Sequence, residues 1–475
     1  MYTPNPSEEV FSISAVETGV ALSLLQSSGA ADAIKLGLQG NIAGGLKAIE
    51  TNVMANKTKN RRFDQNLQPV TTNAFRCCED IFNQLQNYET HFKIRKRARK
   101  KIDQEIFQQT VYCIISNLVL SAFGNPDSGV RITRSHSQLG TKDRYRTPVL
   151  GKTFPTVIDL MTKPEMDFLV QDKAEISTSS DRQQTIIYPS DRIRTRLSEH
   201  NLHPEDFGPG EFPEVIIFKS KKGGFFEKSG VQQYEDTALT NKMRSEVDKI
   251  NDWLMKMDID MALDDPTSDI NTNNRKLRRY FTRGDLTFNS GGRLFGGFWL
   301  DMSKKLRKQI LLLNEEFICT LDFNNLGPTI LYGLAKSTPP EGDAYRVSGF
   351  ERYRAGIKTV FNCMTFTDAP LSRFPKGVKK EFEQEHRFHW VVNAIEKKHK
   401  PIFHLLNSQI GHHIQKIESD IIVKCMLMAQ EQDIPALPVH DALIFPESKK
   451  EEGIRIMETA FKTLVGIQGQ VKEEE

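Results

Sequence analysis

The segment that most constrains the fold is IPALPVHDALIFPES at residues 434–448, where His440 and Asp441 separate two short apolar runs. Short apolar runs on either side of a polar turn predict a β-hairpin. An Asp in such a position is more often a turn former than a catalyst. A catalytic role for Asp441 therefore requires a second carboxylate on another strand that can meet it.

The best candidate for this second carboxylate is Asp322, in the segment EEFICTLDFNNLGPTILYGL at 315–334. The run FICTLDF predicts a buried strand that ends at Asp322, and Pro328 can begin the helix that follows. A carboxylate between a strand and a helix points into a cleft. A single Asp there is more often a helix cap or turn residue. A catalytic site is therefore indicated by Asp322 and Asp441 together and not by either one alone.

The segment between the two aspartates, ERYRAGIKTVFNCMTF at 351–366, carries a polar stripe. Residues four apart lie on one face of a helix, and here they are Arg354, Lys358, Asn362 and Phe366. Two cations, an amide and an aromatic ring on one face could hold a triphosphate at one end and stack on a base at the other. An ordinary exposed amphipathic helix gives the same pattern.

The first part of the chain is predicted to be mainly helical, at 8–60 and 74–124. The run VYCIISNLVLSAF at 111–123 is too short to span a bilayer and predicts a core helix. The basic run KIRKRARKK at 93–101 is either a solvated surface or a contact to a phosphate backbone.

The middle of the chain changes character at 125–235, where Gly and Pro recur and QTIIYP and EVIIFKSKK predict short strands. Helical periodicity returns at 237–257. The segment 271–299 is rich in Arg, aromatic residues and Gly, which is typical of a groove that follows a nucleic-acid backbone but also of a basic loop. The segment 410–430 then predicts a helix that leads into the hairpin.

Composition and net charge exclude few classes of function. The net charge is +3, so whole-chain charge does not argue for a nucleic-acid partner. Six cysteines without a C-x-x-C pair suggest reduced thiols and no zinc site. The N-terminus has no basic region followed by an apolar stretch, so we expect a cytoplasmic protein with no membrane partner, associated with the nucleoid if the source is bacterial.

The order of these elements resembles the palm and fingers of family A polymerases, the class of bacterial DNA polymerase I and the phage single-subunit RNA polymerases. The resemblance covers about residues 275–465 and marks a divergent member. The motifs that carry it are LDFNNLGPTIL with Asp322, R-x-x-x-K with an aromatic eight residues later (Arg354, Lys358, Phe366), V-H-D-x-L (Val439, His440, Asp441, Leu443), Q-x-x-x-x-D (Gln415, Asp420) and GGRLFGG with Arg293.

The resemblance implies a nucleotidyltransferase that extends a nucleic-acid 3′ end by two-metal phosphoryl transfer. Two Mg²⁺ ions, or Mn²⁺, would be held by Asp322, Asp441 and the backbone carbonyl of Phe323. Arg354 and Lys358 would neutralise the triphosphate, and Lys358 would also protonate pyrophosphate. The other implied contacts are Asn362, Phe366 and Gly327 at the nucleotide, His440 at the primer end, and Gln415 and Arg293 in the primer–template minor groove. No D-x-E nuclease domain is visible, so we expect no proofreading.

Two positions bear on the choice of sugar. DNA polymerases of this family carry Glu five residues after the first Asp, where Gly327 stands here, as in the phage RNA polymerases. The aromatic residue after the Lys is usually Tyr and is Phe366 here. Both changes remove groups that could sense a 2′-hydroxyl, so we predict weak sugar discrimination. The hairpin V-H-D-A-L-I resembles the DNA enzymes, although Asn362 replaces their usual Phe or Tyr.

We therefore predict an α+β fold, a right-hand polymerase with an antiparallel-sheet palm and helical fingers. Its predicted domains are a helical N-terminal domain at 1–130, a mixed β and loop domain at 131–235, and palm and fingers at 236–475, with thumb-like helices at 237–262 or within 74–124. The expected partners are DNA template and primer and nucleoside triphosphates, and the N-terminal half is expected to bind either a protein partner or the duplex. The alternatives are an RNA polymerase or primase-like enzyme, a degenerate polymerase that only binds nucleic acid, and an unrelated globular protein.

Overall fold

The computed structural model describes residues 60–123, 128–173, 184–220, 230–262, 270–282 and 287–474. The helix predicted at 8–60 lies almost wholly outside the described residues. All elements below belong to the compact unit Asn60–Glu475.

Helices and strands alternate along this unit without a repeating order. The helices are α1 (Thr72–His91), α2 (Lys101–Phe123), α3 (His136–Leu139), α4 (Phe154–Met161), α5 (Asp191–Glu199), α6 (Ala238–Lys256), α7 (Lys304–Ile310), α8 (Leu326–Leu334), α9 (Arg354–Phe366), α10 (Phe388–Lys398), α11 (Gly411–Glu431) and α12 (Lys450–Val465). The strands are β1 (Arg61–Arg62), β2 (Leu67–Pro69), β3 (Val130–Ile132), β4 (Leu169–Asp172), β5 (Thr185–Pro189), β6 (Phe207–Pro209), β7 (Ile216–Phe218), β8 (Ile259–Met261), β9 (Leu277–Phe281), β10 (Gly291–Gly296), β11 (Leu311–Leu313), β12 (Glu316–Asn324), β13 (Leu437–Val439), β14 (Ala442–Pro446) and β15 (Gln470–Glu473).

The sheets are mainly antiparallel. The largest has the order β13-β14-β12-β11-β8, and β15 pairs with β12 beyond the point where β11 ends. A second sheet has the order β10-β9-β7, in which only the β9–β7 pair is parallel. The remaining strands form the sheet β1-β3-β5-β4 and the pair β2-β6. The fold is therefore a mixture of helices and antiparallel sheets, as expected for the α+β class.

Strand β12 is the centre of the largest sheet because its alternating side chains suit both of its surroundings. Leu321 and Phe323 are buried, and the ring of Phe323 lies 5.4 Å from that of Phe461 on α12. Asp322, between them, faces the opposite side of the sheet and is only partly buried. The strand predicted from FICTLDF and the hairpin predicted from 434–448 are both confirmed.

The first part of the described chain has its own hydrophobic core, built around α2. On length and composition α2 could cross a membrane, but 67% of its most apolar stretch is buried within the fold. It is therefore a core helix, as the run at 111–123 predicted. A second core spans the chain from Tyr145 and Val215 to Phe461. The domain boundaries predicted at 130 and 235 stay predictions.

A buried cation fixes the β9–β10 hairpin to α11. Arg279 on β9 is 1% exposed, and its Nε donates a 2.8 Å hydrogen bond to the carbonyl oxygen of Gly292. Its Nη2 donates to Ser419 Oγ at 3.1 Å and to Asp420 Oδ1. Lys416 forms a second ion pair with Asp420. A buried charge needs such partners, because desolvation otherwise costs several kcal/mol.

We predict that Arg279→Ala destabilises the protein by about 1–3 kcal/mol, because its buried hydrogen bonds to Gly292 and Ser419 are lost and Asp420 keeps only Lys416. Urea denaturation measures the change. Arg278→Ala, one residue away on the same strand and only half-buried, is the matched control and should cost less than about 1 kcal/mol. Equal losses in the two variants would contradict the role assigned to Arg279.

Candidate active site

The strand register brings the two predicted carboxylates together. Asp322 on β12 is the direct antiparallel partner of Ala442, the first residue of β14. Asp441 precedes Ala442 in the turn from β13, where His440 has a φ of 58°. Asp441 is therefore the turn residue next to the cross-strand partner of Asp322, close enough for its charge to raise the pKa of Asp322.

Both aspartates line one cavity of about 280 Å³. Nearly all of the residues predicted from the sequence lie in its wall: Arg293, Asp322, Phe323, Gly327, Arg354, Lys358, Asn362, Phe366, Gln415 and Asp441. The exception is His440, which is exposed and lies beside Phe295 with a ring separation of 6.1 Å. The structure thus brings together residues that are up to 148 positions apart in the chain (Arg293 to Asp441).

The electrostatics of the cavity show that the carboxylates interact. Burial, together with the charges of Asp441 and Glu474, raises the pKa of Asp322 from 3.8 to about 6, although the backbone N–H of Phe323 and the charge of Lys472 oppose the shift. A partly desolvated carboxyl beside a like charge loses its proton only at a higher pH. A bound cation would offset both the desolvation of Asp322 and its repulsion by Asp441, so the site favours a positive charge.

Helix α9 supplies positive charge to the same cavity. Arg354 and Lys358 lie one turn apart, with the Arg354 Cζ 5.6 Å and the Lys358 Nζ 5.7 Å from the ring centre of Tyr345. Arg354 also forms an ion pair with Asp343, whose pKa it lowers against the opposing effect of burial. Lys358 is exposed and has no acidic partner among the described residues. The helix therefore presents one tethered and one free cation.

Helix α11 forms another part of the wall. Gln415 and Glu418 line the cavity, and Glu418 accepts a 3.2 Å hydrogen bond from Arg293 Nη2. Burial raises the pKa of Glu418, Arg293 lowers it, and Asp441 and Asp322 raise it further. The cavity thus contains a third carboxylate, which the sequence reasoning did not identify. Asp420, the acidic member of the Q-x-x-x-x-D motif, is instead paired with Arg279 and Lys416.

Two glycines, Gly411 and Gly327, determine how much space surrounds the residues that were predicted to contact the nucleotide. Gly411 begins α11, and a Cβ there would lie 2.9 Å from the ring of Phe366, so glycine permits that ring to pack on the helix. Phe366 remains 39% exposed. A Cβ at Gly327 would meet nothing within 4 Å. The space beside Gly327 is therefore open, and a larger side chain could enter it.

Helical spacing in the sequence indicates Glu418, one of the cavity residues that the sequence predictions missed. Glu418 lies three positions after Gln415, which places it on the same helical face, whereas Asp420 at five positions lies away from that face. Asp343, Tyr345 and Asn325 have no such periodicity, because they belong to irregular segments on either side of α8. Asn325 has a φ of 53°, and its buried Oδ1 has no hydrogen-bond partner.

The donor set suits a hard divalent cation only in part. Among the described residues no three His, Cys, Asp or Glu side chains are grouped as a metal centre. Asp322 and Asp441 supply carboxylate oxygens to the cavity, and Glu418 in the same wall is paired with Arg293. Mg²⁺ commonly binds to one or two carboxylates and takes its other ligands from substrate phosphates and water. The Asp322–Asp441 pair therefore fits a divalent metal ion that takes its other ligands from the phosphates of a substrate.

We predict that Asp322→Asn stabilises the protein at pH 7.5 in the presence of a chelator, and much less at pH 4. The raised pKa means that the wild-type carboxyl favours folding fully below pH 3.8 and loses that contribution as pH rises to about 6. An amide is neutral throughout this window. The expected gain is about 1–2 kcal/mol after allowance for partial exposure.

Thermal unfolding between pH 4 and 7.5 measures this difference. Asp260→Asn, on the exposed edge strand β8 of the same sheet, controls for the simple loss of a negative charge. A difference in Tm between Asp322→Asn and wild type that does not change with pH would contradict the prediction.

Comparisons with known proteins assign neither a family nor a function to the chain. No protein-family profile matches the chain, and no curated protein matches it. One similar solved structure is the POL domain of Pol1 from M. smegmatis in complex with DNA primer-template and dNTP. The match has 12% sequence identity and a TM-score of 0.28, and it covers 49% of this chain and 50% of that one. The chain thus spans about half the length of this neighbour, and a similarity this low assigns no activity.

Proposed function

We propose that the protein is a template-directed nucleotidyltransferase that adds nucleotides to a nucleic-acid 3′ end, with DNA favoured as template and primer, weak sugar discrimination and no proofreading. One observation carries the proposal: the Asp322–Asp441 pair and the cationic face of α9 line the same cavity. Carboxylates for metal ions on one wall and cations for phosphates on the other are what phosphoryl transfer requires.

The cationic wall would bind the triphosphate. Lys358 is exposed and free to form an ion pair with a phosphate, and it is the candidate general acid for the departing pyrophosphate. Arg354 is held by Asp343, so a phosphate must share or replace that carboxylate. The hydroxyl of Tyr345 makes no hydrogen bond to any described residue and lies in the cavity wall, where it could donate to the same phosphates. Burial raises its pKa, which keeps it a donor.

The acidic wall would hold the metal ions. Asp322 and Asp441 would bind two Mg²⁺ or Mn²⁺ ions, with the Phe323 carbonyl as a further ligand. When bound, these ions neutralise charge on the phosphates and lower the pKa of the attacking hydroxyl. The two carboxylates position the primer end relative to the α-phosphate, and Glu418 orients Arg293 toward the primer–template with Gln415.

The sheet β13-β14-β12-β11-β8 would then be the palm, and α9 with α10 part of the fingers. Helix α6 at 238–256 is the candidate for a thumb-like element. The part of the chain before residue 235 would recruit a protein partner or the duplex. These assignments explain why the site residues come from separate segments that meet only in the fold.

The open space at Gly327 favours a second candidate, an RNA polymerase or primase-like enzyme. Nothing at that position would exclude a ribose 2′-hydroxyl. The retained Asp322–Asp441 pair and the α9 cations argue against a degenerate protein that only binds nucleic acid, because a binding protein has no use for two repelling carboxylates.

We predict that the wild-type protein extends a primer on a DNA template in the presence of Mg²⁺. Asp322→Asn and Asp441→Asn should each lower kcat by about 10²- to 10³-fold or more, because charge developing in the transition state loses its stabilisation. Gel-resolved primer extension measures this loss. Asp260→Asn is the matched control and should retain activity. Extension that survives both active-site variants would contradict the assignment of the metal site.

We predict that Gly327→Glu increases the preference for deoxyribonucleotides over ribonucleotides by about tenfold or more, which corresponds to about 1.4 kcal/mol. The larger side chain enters open space and so should exclude a 2′-hydroxyl without disturbing the fold. The ratio of kcat/KM for the two nucleotide types measures the change. Gly327→Ala is the control for loss of glycine. An unchanged ratio in Gly327→Glu would show that the sugar is sensed elsewhere.

A further inference from the structure

The β9–β10 hairpin presents a surface of which the proposed function uses only Arg293. Its antiparallel register pairs Arg293 with Tyr280 and Phe295 with Arg278, and paired residues project to the same face. Arg279 and Leu294 project to the other face and are buried. Two cations and two aromatic rings therefore alternate on one side of a two-stranded ribbon.

The aromatic rings connect this ribbon to the catalytic hairpin. Phe295 is 42% exposed, and its ring meets that of Tyr280 edge to face at 5.3 Å. It also meets the ring of His440, which directly precedes Asp441, at 6.1 Å. Phe295 thus links the ring of Tyr280 to that of His440, the neighbour of one of the two candidate metal ligands.

Cations surround the rings. The Lys219 Nζ lies 4.7 Å from the Tyr280 ring centre, and the Arg278 Cζ lies 5.9 Å from that ring and 4.6 Å from the ring of Phe212. Within the described part of the chain neither Lys219 nor Arg278 has an acidic partner, whereas Arg293 is paired with Glu418. We call this surface the stacking platform, and its members are Lys219, Arg278, Tyr280, Arg293, Phe295 and His440.

We propose that the stacking platform binds an unpaired nucleic-acid strand whose end reaches the Asp322–Asp441 pair. This proposal rests on the proposed function in placing that end at the catalytic pair. An exposed ring binds a base through its free face, and in a duplex those faces are covered by neighbouring bases. The flanking cations neutralise the phosphates of the same strand. The combination selects single strands without regard to sequence.

The platform predicts a particular substrate. The stacking platform would bind a strand whose last nucleotides before the 3′ end are unpaired. The protein should therefore bind a 3′ end that is frayed or not annealed. A fully paired end would contact the platform only through its phosphates. Single-stranded DNA should therefore bind more tightly than a blunt duplex of the same length.

The test is fluorescence anisotropy with a 5′-labelled 12-nucleotide oligo-dT and with a blunt 12-base-pair duplex, in chelator and without nucleotide. Phe295→Ala should weaken binding of the single strand about tenfold or more. Arg278→Gln should weaken it and lower the slope of log Kd against log salt concentration by about 0.7. Phe295→Trp keeps an aromatic face and should restore binding.

Matched controls come from exposed residues elsewhere. Phe317 on β12 is also 42% exposed, and Lys305 on α7 is an exposed cation, so Phe317→Ala and Lys305→Gln should bind the oligo-dT as wild type does. Thermal unfolding confirms that each variant is folded. Tighter binding of the duplex by wild type, or an unchanged Kd for the single strand in Phe295→Ala, would overturn the proposal.

The design separates this proposal from the proposed function. Binding is measured without metal or nucleotide, so it does not depend on catalysis. A wild-type protein that binds oligo-dT through Phe295 but never extends a primer would overturn the proposed function and retain the platform. A protein that extends primers while Phe295→Ala binds normally would overturn the platform alone.

Discussion

The antiparallel register between β12 and β14 determines the chemistry of this molecule. It places Asp322 opposite Ala442 and so brings Asp441 next to it, at a cost that appears in the raised pKa of Asp322. The two carboxylates repel each other, and a shift of one residue in the register of β12 would move Asp322 to the opposite face of the sheet, away from the cavity. The buried residues of β12 and β14, including Leu321, Leu443 and Phe445, fix the register and offset this cost.

Around this pair the cavity contains cations that are largely paired in advance. Arg354 is held by Asp343, and Arg293 by Glu418, whereas Lys358 lacks an acidic partner among the described residues. Side chains held in this way lose little further entropy when a substrate binds, which is the advantage of a preorganised site. A phosphate must compete with Asp343 for Arg354, so the structure makes nucleotide affinity depend on the balance of these ion pairs.

Local patterns were sufficient to predict much of this arrangement. The helix at 354–366 and the strand that ends near Asp322 follow from periodicity, and the polar stripe of α9 does line the cavity. Asp343 and Tyr345 were not predicted because a loop residue gains its position from the fold and not from spacing. Glu418 was missed in favour of Asp420, although helical spacing favours Glu418. His440 was expected at the primer end, and the structure gives it a contact with Phe295 that the sequence could not indicate, because the two are 145 residues apart.

The most direct test of the central claim is the binding of a fluorescent nucleoside triphosphate as a function of Mg²⁺ concentration, in wild type, Asp322→Asn and Asp441→Asn. The account predicts that Mg²⁺ strengthens binding to wild type about tenfold or more, since the carboxylates and phosphates share the ions. Both variants should retain weak binding through Arg354 and Lys358 but lose the dependence on Mg²⁺. The same Mg²⁺ dependence in all three proteins would show that Asp322 and Asp441 do not form a metal site.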